Sequence, residues 1–102
     1  MRSELKEKVE QREAVLNRVI ELLISRLRLE RSSNELDPDT PLFGSGLCLD
    51  SVDAVEIVVV LEAEFGIWLD EDEDEGMFAL RTVNSLVDAV LIQKEGELDN
   101  KN

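Results

Sequence analysis

Residues 49–67 read LDSVDAVEIVVVLEAEFGI, and this stretch decides the fold. Its apolar positions predict one helix, from Asp50 or Ser51 to Phe65, stopped by Gly66. Either Asp50 or Ser51 can cap it, and Asp53 in the first turn favours the positive end of the helix dipole. The run 57–61 is apolar nearly all round, so the helix is expected at the centre of a bundle, with neighbours on most sides. A remaining polar stripe carries Asp53, Glu56 and Glu64, with Glu62 at its edge. A serine hydroxyl at the exposed start of such a helix, set among carboxylates, suits modification by another protein better than attack on a substrate. Helix capping alone would also account for a serine here.

Upstream, residues 3–30 have a helical pattern in which Leu5, Val9, Leu16, Val19, Ile20, Leu23 and Leu27 recur at spacings of three, four and seven. The weak stretch 10–14 predicts first turns that project beyond the core, and Ser32, Ser33 and Asn34 read as the helix end. The loop LDPDTPLFGSGLCL (36–49) is long enough to need anchors, for which Leu42, Phe43 and Leu47 are the candidates. Downstream come the connector Ile67-Trp68-Leu69, six acids at 70–75 and a short helix expected near 77–80. A last helix follows, capped by Thr82 or Asn84, containing Val83, Leu86, Val87, Val90 and Leu91, and closing near Gly96 before a frayed tail. The whole 102 residues read as one all-α domain with a core of about 14–92.

Composition narrows the chemistry. The chain has no histidine, no tyrosine and one cysteine, so it lacks an imidazole base, an intrachain disulfide and a multi-cysteine zinc site. Nucleophilic catalysis by Ser51 would need an oriented base, and no base-and-orienter pair is visible; the expectation is a protein that is not an enzyme. Residues 1–31 hold eight Lys/Arg against six Asp/Glu, whereas residues 32–102 hold three against 18. That field repels nucleic acid and anionic membranes and attracts basic protein surfaces. No segment is apolar enough to span a membrane, and the MRSELKEKVE start lacks a signal-peptide core, which makes the cytoplasm the expected location and a monomer the expected state.

The acidic run fails as an EF-hand in both possible registers: starting at Asp70 puts Glu75 at the glycine position, and starting at Glu71 ends on Thr82. It reads as solvated, and no metal site is expected. Cys48, between Leu47 and Leu49, reads as a packing residue, since nearby acids disfavour a thiolate. Trp68 reads as a cover over a core edge.

Taken together, Asp50-Ser51-Val52, the preceding DPDTPLF, the LEAEFGI helix ending and the closing TVNSLVDAVL resemble acyl carrier proteins over about residues 14–92. The resemblance implies a four-helix bundle with three main helices, one short helix and a long first loop. It implies that Ser51 carries 4′-phosphopantetheine, donated by coenzyme A through a phosphopantetheinyl transferase, and that acyl groups ride on the arm as thioesters. Asp50, Asp53 and Glu56 match positions that meet basic patches on transferases and synthases. Glu62 and Glu64 match acidic positions further along, and Val55 and Val59 match the apolar contacts between them. By the same resemblance, Val58, Leu61, Phe65 and Leu69 line an acyl cavity. Three departures point to a specialised paralogue: a first helix longer by roughly ten residues, a longer stretch between Leu69 and Val83 beside Trp68, and Cys48 where a smaller residue is common. The pathway implied is fatty-acid, polyketide or related lipid synthesis. The rivals are a peptidyl, aminoacyl or D-alanyl carrier using the same arm, and an acidic helical adaptor in which Ser51 only caps.

Overall fold

The computed structural model describes residues 2–30, 32–43, 46–47, 49–69 and 79–100. Among the described residues three α-helices make the bundle: α1 (Arg2–Arg26), α2 (Ser51–Phe65) and α3 (Val83–Asn100), with one 3-10 turn at Ser33–Glu35. Among the described residues, extended pairing is limited to the isolated bridges Pro41↔Thr82 and Phe43↔Leu49. The all-α reading holds. The acidic run 70–75, Cys48 and most of the short helix expected at 77–80 lie outside the described residues.

The core collects Val19, Ile20 and Leu23 from α1, Ile57 and Leu61 from α2, and Val83, Leu86, Val87 and Val90 from α3. Helices α1 and α2 run antiparallel, because Arg18 bonds Glu64 while the later Leu22, Leu23 and Arg26 adjoin the earlier Ile57 and Val60. The first turns of α1 project as expected: Leu5 and Val9 are 66% and 51% exposed, and burial starts at Val15 and Leu16. Arg12 ties this part of the helix to α3, at 2.6 Å from Asp88 and 3.2 Å from Asn84.

Helix α1 ends at Arg26, several residues before the expected 30. The Leu29 amide bonds the Ile24 carbonyl at 3.0 Å while Arg28 takes a left-handed φ of 54°. This is a Schellman ending with arginine where glycine is usual, and the flanking Ile24 and Leu29 are packed against the core. Periodicity carries on through Leu27 and Leu29, but those side chains are partly buried from a turn rather than from a helix.

The long loop is anchored as its sequence predicts. Leu42 is fully buried and Phe43 and Leu47 are partly so. The Leu42 amide bonds Arg81 O, its carbonyl accepts from Leu49, and Asn84 N bonds Pro38 O, all at 2.9–3.0 Å. The loop also doubles back tightly: a Cβ at Gly46 would stand 1.9 Å from Pro41 O, so only glycine fits there. Thr82 and Ser85 exchange side-chain-to-backbone bonds of 3.1 and 2.8 Å, which makes Thr82 the cap of α3. At its other end α3 passes Gly96, where an end was expected, and continues to Asn100. A mid-helix glycine costs about 1 kcal/mol relative to alanine but does not force a stop unless the chain turns left-handed there.

Candidate functional site

The start of α2 is fixed by two aspartates. Asp50 Oδ1 accepts the Asp53 amide at 2.9 Å, and Asp53 Oδ2 accepts the Asp50 amide at 3.0 Å, a reciprocal capping box. Of the two candidate caps, Asp50 takes the role. Ser51 therefore sits one position inside the helix, exposed, with its hydroxyl free of any hydrogen bond among the described residues. Capping, the plain explanation for a serine here, does not apply to it.

Beyond Ser51 the helix divides by face. Ile57, Val58, Val60 and Leu61 are buried, whereas Val52, Val55 and Val59 are 73%, 49% and 54% exposed. At 3.6 residues per turn these three valines form one stripe, with Glu56 on one side and Ser51 and Glu62 on the other. The apolar run that looked buried all round thus keeps one face in solvent. Val52 belongs to that face and is absent from the sequence-based set, although the 52–55–59 spacing already carries it.

The acidic positions differ in what they hold. Glu56 is half-buried, near Arg26 and Leu27. Glu62 Oε2 accepts the Leu69 amide at 2.9 Å and so pins the connector after α2. Gln93 pins the same connector: its Oε1 accepts the Trp68 amide at 2.9 Å and its amide donates to Trp68 O. Trp68 itself is 73% exposed, so it covers no core edge. Glu64 is held by Arg18 through two bonds, at 3.0 and 3.1 Å. That hydrogen-bonded guanidinium draws the Glu64 carboxyl below the ordinary carboxylate range, and Glu64 in turn raises Arg18. Both residues fasten the chain to itself, leaving Asp50, Asp53 and Glu56 nearest Ser51.

Open space adjoins Ser51. A groove of about 670 Å³ runs between the loop (Pro41, Phe43, Leu49), the first turns of α2 (Ser51, Ala54, Val55) and the chain entering α3 (Leu80, Arg81, Thr82). Of the residues expected to line a cavity, Val58, Leu61 and Leu69 are buried in the core, Phe65 is packed against it, and none borders this groove. The groove draws on three separated segments, which periodicity in any one of them does not reveal.

The pattern of the phosphopantetheine attachment site family matches residues 17–90, most of the chain and all of the bundle core. The chain belongs to that family. Such carrier domains hold 4′-phosphopantetheine covalently, and an unbonded hydroxyl at an exposed helix start beside an open groove fits that cofactor. The match ends before the last turns of α3 and begins after the exposed turns of α1. Among the described residues no helix is long and apolar enough to cross a membrane, and no cluster of acidic or cysteine side chains is arranged to hold a metal ion.

Proposed function

We propose that this carrier domain receives 4′-phosphopantetheine on Ser51 and carries acyl groups as thioesters in fatty-acid, polyketide or related lipid synthesis, in the cytoplasm and without catalytic activity of its own. The observation that carries the reading is the free, exposed Ser51 hydroxyl, released from capping by Asp50. In the modification, Ser51 Oγ bonds to phosphorus of the coenzyme A pyrophosphate as the phosphorus–oxygen bond to the nucleotide breaks. The hydroxyl proton goes to a base on the transferase, since this chain has no histidine to take it. Bound there, the arm supplies a thiol for thioester formation, while the chain's own residues position it at the mouth of the groove.

The surface around Ser51 supports encounter with basic partners, transferases and synthases alike. Asp50, Asp53 and Glu56 supply negative charge and Val52, Val55 and Val59 supply an exposed apolar strip between charges. Long-range attraction speeds encounter, and a small apolar contact allows prompt release, as a shuttle requires. Glu62 and Glu64 extend the acidic surface while also serving intramolecular bonds.

Incubation with coenzyme A, magnesium and a broad-specificity phosphopantetheinyl transferase, followed by intact-mass measurement, tests the assignment. One arm is expected on the wild-type chain and none on Ser51→Ala. Absence of modification across several transferases would put the unmodified adaptor ahead.

A further inference from the structure

Resting on the carrier reading, we infer that the groove beside Ser51 accepts the carried acyl group and that Arg81 makes it selective for acyl chains bearing an oxygen acceptor beyond the thioester, a carboxylate above all. Two independent features lead there. The groove has about 670 Å³ of space and is walled mainly by Pro41, Phe43, Leu49, Ala54, Val55 and Leu80, so it suits a hydrocarbon segment rather than a sugar or nucleotide. Its lining also includes a cation, in a region where cations are scarce: residues 32–102 contain only Arg81, Lys94 and Lys101 against 18 acids.

Arg81 is well placed by its backbone. Its carbonyl accepts the Leu42 amide at 2.9 Å, and the next residue, Thr82, bridges to Pro41 and caps α3. The Arg81 backbone is therefore tied to the loop directly and, through Thr82, to the start of α3. Arg81 makes contacts within the chain, but its fork has five N–H donors, enough to serve a neighbour and a cargo oxygen together. Asp50, the one acid among the described lining residues, spends an oxygen on the capping box. An acyl chain lying along the apolar floor with its polar end at Arg81 satisfies both kinds of lining.

The test loads Ser51 from coenzyme A thioesters of equal chain length, hexanoyl and 5-carboxypentanoyl, and follows release of the acyl group by hydroxylamine. Intact mass first establishes that one loaded arm is present. A docked thioester reacts more slowly, so the carboxyl-ended cargo is expected to be released about threefold more slowly than the hexanoyl one, a modest ratio in keeping with a partly exposed ion pair. Arg81→Gln should abolish that difference, compared on fully loaded chains, and Arg81→Lys should restore part of it. Equal release of both cargoes from the wild-type chain, or a difference that survives Arg81→Gln, would overturn the inference while leaving the carrier reading intact. Failure to load at all would overturn both. A melting curve on each variant keeps loss of fold from being read as loss of selectivity.

Discussion

At Ser51 and Asp50, neighbouring residues divide two jobs that sequence alone leaves interchangeable. Both are good caps, and only the geometry of the Asp50–Asp53 box frees the serine. Asp50 consequently carries a structural role and an electrostatic one, which substitution can separate. Asp50→Ala removes the cap and is expected to cost about 1 kcal/mol, seen as a fall in Tm of roughly 4–8 °C for a domain of this size. Asp50→Asn keeps a capping oxygen and should stay within about 0.5 kcal/mol of wild type. It nevertheless removes a charge beside Ser51, so its modification by the transferase should slow at low salt and recover as ionic strength shortens the Debye length to about 3 Å at 1 M. Equal melting points for the two variants would refute the capping role. A slowing that ignores salt would refute the steering role. The exposed helix start at Ser51 is thus legible from its setting, whereas the freedom of its hydroxyl is not, because that depends on which of two adjacent side chains reaches one amide.

Among the elements, α2 and α3 were read nearly to their starts, since caps and stops have local signatures such as Thr82 and Gly66. The end of α1 was not, and the reason is Arg28. A non-glycine residue at positive φ carries no mark in the sequence, and Leu27 and Leu29 kept the apolar rhythm going past the true end. The groove escaped for a different reason: its walls come from the loop (Pro41, Phe43, Leu49), the start of α2 (Ser51, Ala54, Val55) and the chain before α3 (Leu80, Arg81, Thr82), segments far apart in sequence, of which the first and last are joined by the Pro41↔Thr82 bridge and the Leu42–Arg81 backbone bond. The same Schellman geometry yields a prediction. Left-handed backbone costs an L-residue about 1–2 kcal/mol, part of which glycine gives back through its freer unfolded chain. Arg28→Gly should therefore stabilise the domain by about 0.5–1 kcal/mol, read as a higher denaturant midpoint with an unchanged slope. Arg28→Pro, which cannot adopt that φ, should do the opposite. A neutral or destabilising glycine would mean that α1 ends elsewhere in solution.

For the molecule as a whole, charge both advertises the carrier surface and strains the bundle. A net charge of −13 on 102 residues favours basic partners and solubility but works against compactness. The described ion pairs that cross between helices start from α1, where the basic residues are concentrated: Arg12 reaches Asp88 on α3, and Arg18 reaches Glu64 on α2. The N-terminal helix thus serves as the bundle's internal counter-charge. Arg18 is raised above an already high value, so it stays charged over any working pH, and the pair titrates through Glu64. Because the Glu64 carboxyl is depressed in the folded state, its contribution is fully present above the ordinary carboxylate range and is lost as pH falls through its lowered value. Across that acidic window the wild-type chain should lose more stability than Glu64→Gln, while near pH 7 the variant should melt slightly lower because it lacks the pair. Both surfaces of the pair are open to solvent, so high salt should shrink the pH 7 gap. Melting curves from pH 7 to pH 3 at two ionic strengths check this directly. Parallel acid limbs for wild type and Glu64→Gln would show that Arg18 does not hold Glu64 in solution, and the α1–α2 contact would then rest on apolar packing, including Leu22, Leu23, Ile57, Val60 and Leu61.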